Sequence, residues 1–369
     1  MPRTRPTHQA RFRVTVLVAL SIASATVLVG QTAADSVGRR RIQPLPALGS
    51  APETGLQFGV TALAVWEPAA ILMTRPASVL ASALRTTEAQ TRLRVEGEHW
   101  STGNARRVAG SLQWQEFPLP YFGIGDRTPR SAEEVYTPRG TEGILSVQQR
   151  IRGPMYAMLG IRHLEQRITA DTIGVLQQGG VTGARGGTTT ELTGGVQLDT
   201  RDNLFAPRAG QWVQLTYARS DGAIWSDFTY GTFKLDARSY HRIGASQVLA
   251  LHLQATGVDG DAPFDALALV GNSDIMRGYE RGRFRDRWMS AMQAEYRSAF
   301  WHRVGAVAFG GVGVTAPALG ELIDGRLLPT YGAGLRVQLD ARQRTGIRAD
   351  YGRGVRGASG LYIGFNQAF

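Results

Sequence analysis

From Gly55 onward, apolar and polar residues alternate with a period of two, the pattern of strands whose two faces meet different surroundings. In Arg92-Leu93-Arg94-Val95-Glu96-Gly97-Glu98 every charge lies on one face, opposite Leu93, Val95 and Gly97. From Tyr331 to Asp340, the residues Tyr331, Ala333, Leu335, Val337 and Leu339 oppose Gly332, Gly334, Arg336, Gln338 and Asp340. Stretches of this kind predict strands over 55–66, 77–87, 91–100, 106–116, 141–152, 154–166, 188–199, 211–219, 228–240, 247–257, 288–299, 304–314, 331–340, 345–354 and 361–369. Helical periodicity is hard to find anywhere.

Alternation alone suits a soluble sandwich or solenoid as well as a barrel in lipid. Length and connections separate the two. Many of the segments are about 10 residues long, as a tilted strand needs to cross hydrocarbon. The turn at Ile151-Arg152-Gly153-Pro154 is tight, whereas 167–187 and 258–287 are long connections. Short turns at one end and long loops at the other suit an outer-membrane barrel. Since unpaired backbone groups are not tolerated in hydrocarbon, a strand protein spans only when closed into a ring. The fifteen predicted strands are odd in number, while single-chain bacterial barrels have even counts, so one strand is missing from the reading.

The start of the chain fixes the compartment. Arg3, Arg5, Arg11 and Arg13 precede an uncharged run from Val14 to Gly30, followed by Thr32-Ala33-Ala34. A basic start, an apolar middle and a small-residue exit predict a secretory signal peptide over 1–34. Residues 35–54, with Arg39-Arg40-Arg41, Pro44 and Pro46, read as a periplasmic tail or linker, and 55–369 as the barrel. The absence of cysteine excludes disulfides and thiolate metal sites and fits export through an oxidising periplasm. The net charge is +11, and Lys234 is the sole lysine. Guanidinium suits carboxylates and phosphates, including those of outer-membrane lipid and lipopolysaccharide. An exported chain would not meet nucleic acid.

Several motifs invite a chemical reading and do not support it. Gly352-Arg353-Gly354-Val355-Arg356-Gly357 matches G-x-G-x-x-G, but it falls between two predicted strands with no helix after it, so it reads as a turn. Asp199 and Asp202 precede Pro207 in a run that reads as a hydrogen-bonded turn and not a calcium site. His99, His163 and His241 show no zinc-ligand spacing, and no G-x-S-x-G elbow is present. No cofactor, metal or enzymatic activity is expected, although a Ser-His arrangement gathered from distant strands is not readable from spacing.

The final segment places Leu361, Ile363, Phe365 and Phe369 on one face, opposite Tyr362, Gly364, Asn366 and Ala368. Gly364, Phe365 and the terminal Phe369 resemble the C-terminal assembly signal of outer-membrane barrels, except that Gln367 stands where that signal has an apolar residue. The run Ile275-Met276-Arg277-Gly278-Tyr279-Glu280-Arg281-Gly282-Arg283-Phe284-Arg285-Asp286 resembles the loop-six motif of the BamA/TamA family of bacterial surface-antigen barrels. Asp199-Thr200-Arg201-Asp202-Asn203 with Pro207 and Gly210, then Gln293-Ala294-Glu295-Tyr296-Arg297, resemble the same family in the same order.

The resemblance implies a transmembrane antiparallel β-barrel of sixteen strands, with loop six folded into the lumen through Arg277, Gly278, Tyr279, Arg283 and Asp286. On the strand after loop six the family pattern Phe-x-Asp-x-Gly falls on Phe309, Gly311 and Gly313, so Gly311 stands where the family has the acidic partner of the loop arginine. A buried guanidinium without a partner costs several kcal/mol. Strand parity offers Glu295 first, then Asp350 and Asp340, as substitutes, and a water-solvated Arg277 is the alternative. The resemblance further implies a role in insertion, translocation or surface display of other molecules. It also implies dependence on the barrel-assembly machinery and a seam between the strands at 55–66 and 361–369. The stretch before the barrel is too short for the family's periplasmic POTRA module, so a short member served by a separate periplasmic protein is expected. A passive channel or receptor, an integral lipid enzyme and a secreted soluble β-protein are the rival readings.

Overall fold

A computed structural model of the chain describes residues 40–67, 74–244, 246–340 and 344–369. The expected signal peptide over 1–34 lies outside the described residues. Sixteen staves form one antiparallel sheet closed on itself. The first half comprises β1 (Arg40–Ala51), β2 (Gly55–Trp66), β3 (Ala77–Thr86), β4 (Thr91–Trp100), β5 (Arg106–Glu116), β6 (Glu134–Arg152), β7 (Met155–Ala170) and β8 (Gly186–Asp199). The second comprises β9 (Gly210–Ser220), β10 (Tyr230–Ile243), β11 (Gln247–Gly260), β12 (Trp288–Arg297), β13 (Val304–Ala316), β14 (Leu328–Asp340), β15 (Thr345–Arg353) and β16 (Ser359–Phe365). Each stave pairs with the next in sequence, and β1 meets β16.

The alternation seen in the sequence becomes an inside and an outside. On β12, Met289, Ala291, Gln293, Glu295 and Arg297 are buried in the lumen, whereas Met292 and Tyr296 are exposed on the outer face. On β2, Leu56, Phe58 and Val60 face outward. An outer apolar band of this kind gains transfer free energy only when lipid covers it. The charged row on β4 finds partners inside: Arg94 pairs with Glu96 at 2.6 Å, and Glu98 with Arg107 of β5 at 2.7 Å.

Several strands run a few residues beyond or short of the sequence reading, and two differences fall at the ends of the barrel. Residues 40–51, expected to belong to a tail or linker over 35–54, are the missing sixteenth strand. β1 pairs with β2 over its whole length, from Arg40↔Trp66 to Ala51↔Gly55, but meets β16 at the single pair Ser50↔Ile363. A strand laddered fully on one side alone can carry proline, which cannot donate to a second ladder, and Pro44 and Pro46 disguised it. At the other end, β16 stops at Phe365 and not at 369. Asn366 takes φ +58°, and its N–H donates to the carbonyl of Gly346 at 2.7 Å, so the chain leaves the sheet there. Phe369 therefore does not continue the outer face of Leu361 and Phe365.

The long connections 117–133, 171–185 and 261–287 share one end of the barrel. They are stitched together by a cluster of Tyr121, Tyr136, Ile168, Leu176, Ala184 and Phe264. The longest, between β11 and β12, is the sixth connection at that end; it folds inward and forms a small hairpin, Ala268–Val270 with Phe284–Asp286.

Candidate functional site

Loop six is seated on a cluster of buried charges. Arg277 is 0% exposed. Its Nη2 donates to Glu295 of β12 at 2.5 Å and its Nη1 to Asp350 of β15 at 2.6 Å. The expectation named Glu295 first; the structure brings both carboxylates to the one guanidinium. Asp340 stands exposed at the end of β14, away from these two ion pairs. Around the pair of acids stand three more arginines. Arg297 reaches Glu295 at 2.8 Å, Arg336 reaches Asp350 at 2.5 Å and Glu295 at 3.7 Å, and Arg348 reaches Asp350 at 3.5 Å.

Gly311 stands where the resemblance places an acid, and a Cβ there would lie 2.6 Å from the Met292 carbonyl oxygen; its neighbours Phe309 and Gly313 receive the loop. The ring of Phe309 lies 3.7 Å beneath the Arg277 guanidinium, a cation–π contact. A Cβ on Gly313 would stand 3.1 Å from the tip of Met276, so a side chain there would crowd the loop tip.

The backbone of the motif is held as firmly as its arginine. Gly278 has φ +117°, and a Cβ on it would lie 2.7 Å from the Arg353 backbone, so only glycine lets the loop touch β15. The Gly278 N–H donates to the hydroxyl of Tyr362 at 2.9 Å, and that hydroxyl donates to the carbonyl of Tyr279 at 3.0 Å. The Thr330 hydroxyl donates to the Arg277 carbonyl. Tyr279, fully buried, donates to the Pro329 carbonyl at 2.7 Å and accepts the Val355 N–H at 3.0 Å.

The rest of the motif is placed apart from the charge cluster. Arg283 lies between the rings of Phe122 and Phe284 and donates to both the hydroxyl and the carbonyl of Thr128. Asp286 is buried in the hairpin and accepts the Arg287 N–H at 2.8 Å. At the C-terminal end, Gly364 faces Arg348 inside and Phe365 faces outward. Phe369 is buried in a cluster with Tyr240, Val248 and Ala250, against His252 at 4.8 Å between ring centroids. Its carbonyl accepts from Arg297 Nη2 at 2.6 Å. Phe369→Ala is expected to cost about 2 kcal/mol, short of a full core deletion because its cluster is small. The readout is a lower urea midpoint of the heat-modifiable band. An unchanged midpoint would show that the ring contributes nothing to the folded barrel.

In a comparison with protein families, residues 88–362 match the Omp85 superfamily domain. The chain belongs to the Omp85 superfamily. It is a bacterial outer-membrane protein. None of the curated proteins matches it, and its similarity to solved structures lies in the fold. BamA from Haemophilus ducreyi lacking POTRA domains 1–3 superposes with a TM-score of 0.61 at 12% identity, over 90% of this chain and 70% of that one. CdiB from Acinetobacter baumannii superposes with a TM-score of 0.55 at 12% identity, over 90% of this chain and 66% of that one.

Within this Omp85 barrel, sequence reasoning missed Arg336, Arg348, Tyr362 and Thr330 as members of the anchor. Parity did place Arg336 and Tyr362 opposite the apolar face of their strands. What it lacked was the depth to which the loop descends.

Proposed function

We propose that this Omp85 barrel assists the insertion, translocation or surface display of other molecules at the outer membrane by parting β1 from β16. The observation that carries the reading is the asymmetry of β1, which has twelve paired positions with β2 and one with β16. By contrast, β15 and β16 pair over seven. An edge with unsatisfied N–H and C=O groups is a template on which an incoming strand can add. The proposed surroundings are outer-membrane lipid, including lipopolysaccharide, the assembly machinery that inserts the barrel itself, and a separate periplasmic protein that delivers the client.

Ser50→Cys with Ile363→Cys tests this, because the chain has no other cysteine and the two positions face each other across the seam. Oxidised protein should keep its heat-modifiable barrel and lose the ability to restore outer-membrane protein levels in a deletion strain. Reduction should restore it. Equal rescue by oxidised and reduced protein would sink the seam mechanism.

A further inference from the structure

Toward the loop-six end the lumen holds a cavity of about 290 Å³ between the inner faces of β4 to β7 and loop six itself. Its wall carries five guanidiniums, Arg92, Arg94, Arg162, Arg281 and Arg285, against two carboxylates, Glu142 and Asp265. The carboxylates are already engaged. Glu142 pairs with Arg162 at 2.6 Å, and Glu191 holds the same guanidinium at 3.0 Å. Asp265 accepts from Gln166 at 2.5 Å, and Arg94 is taken by Glu96.

Three cations remain without an ion pair among the described residues. Arg92 lies over the Phe117 ring at 4.4 Å, and its Nε is buried without a hydrogen-bond partner. Arg285 is only 2% exposed. It spends Nη1 on the Phe264 carbonyl at 2.7 Å, and its Nε too is buried without a partner. Arg281 is exposed and lines the cavity; its backbone N–H goes to Glu53, and its guanidinium lies within electrostatic reach of that carboxylate without closing an ion pair to it. Lys234, on the inner face of β10, lies within electrostatic reach of Glu191 and Glu142 as well as of Arg162 and Arg281. Enclosed like charges repel one another, and each unpaired one carries a desolvation penalty that an opposite charge would offset.

We propose that this cavity is a binding site for a soluble, phosphate-bearing anion, held by Arg92, Arg281 and Arg285. A phosphate group offers several acceptor oxygens to three converging guanidiniums, each with a planar fork of donors. The wall is mainly polar and lies inside the barrel, so an acyl chain has little apolar surface to follow. A water-soluble ligand fits these surroundings better than a lipid headgroup. Two of the three arginines come from loop six, so an occupied site would also tie the loop to β4.

The test is calorimetric titration of pyrophosphate into the full chain folded in detergent. Wild-type protein should bind one equivalent saturably, and Arg92→Gln with Arg281→Gln should weaken binding at least tenfold. Arg281→Gln alone, at a guanidinium with no hydrogen bond among the described residues, leaves folding intact and should weaken it at least threefold. Arg219→Gln, on the outer face and paired with Asp221 at 3.3 Å, should bind as wild type. The absence of saturable binding, or equal binding by wild type and Arg281→Gln, overturns the proposal. So does displacement of pyrophosphate by stoichiometric short-chain phosphatidylglycerol added to the micelles, which would make the ligand a lipid.

Discussion

Glu295→Gln is expected to destabilise the barrel more than Arg277→Ala, although both break the same ion pair. The cluster holds four guanidiniums and, at its centre, two carboxylates. Removing Arg277 leaves Glu295 with Arg297 and Arg336, and Asp350 with Arg336 and Arg348. Neutralising Glu295 instead leaves Arg277, Arg336 and Arg348 on Asp350, with Asp274 relieving only Arg348, and leaves Arg297 without a carboxylate. Breaking a buried pair so that a charge is left uncompensated costs about 3–5 kcal/mol, and that range is the expectation for Glu295→Gln. Arg277→Ala should fall below it in urea titrations of the heat-modifiable band, yet it should be the variant whose loop becomes cleavable as far as Asp286. The double variant should be less unstable than the two losses summed, since it removes one charge of each sign from a shared network. A larger stability loss for Arg277→Ala than for Glu295→Gln would show that the carboxylates are not the scarce component.

Gly278→Ala is expected to cost about 3 kcal/mol or more. The added methyl meets the Arg353 backbone at 2.7 Å, and φ +117° is closed to residues with a Cβ, so strain and overpacking act together. Gly282→Ala is the internal comparison. Its φ is +77°, but the nearest atom, at 3.0 Å, is the end of the Arg285 side chain, which can move. It should cost about 1 kcal/mol, the strain alone. Both are read from urea midpoints together with protease sensitivity of the loop. Equal costs would place Gly278 away from β15 in the folded protein.

The sequence was most legible where two solvents impose a strict period. On β12 and β15, parity alone put Glu295 and Asp350 inside, because one step of register would have turned those charges toward lipid. It failed where one partner is missing. β1 carries Pro44 and Pro46 because its second side is almost unladdered, and prolines in a polar stretch look like a linker. Phe369 was misplaced for a different reason. Gln367 could not have faced lipid, and in the fold its side chain accepts from Arg336 Nε at 2.7 Å. That one polar residue was the visible sign that the chain had already left the sheet. Which carboxylate would hold Arg277 was not legible, because the answer depends on how far loop six descends, and periodicity carries no information about depth.

The socket of loop six also has a temporal meaning. Arg277 and Gly278 are held by groups 18, 73 and 84 residues further along the chain, on Glu295, Asp350 and Tyr362. Contacts so distant in sequence cannot form until the intervening chain has been gathered in, and the entropy of closing those loops must be met first. A barrel still lacking β15 and β16 therefore offers this loop a half-built socket, Glu295, Phe309 and Thr330 without Asp350 and Tyr362. Docking of Arg277 is a late event by topology alone, and a seated loop marks a ring whose last staves have arrived.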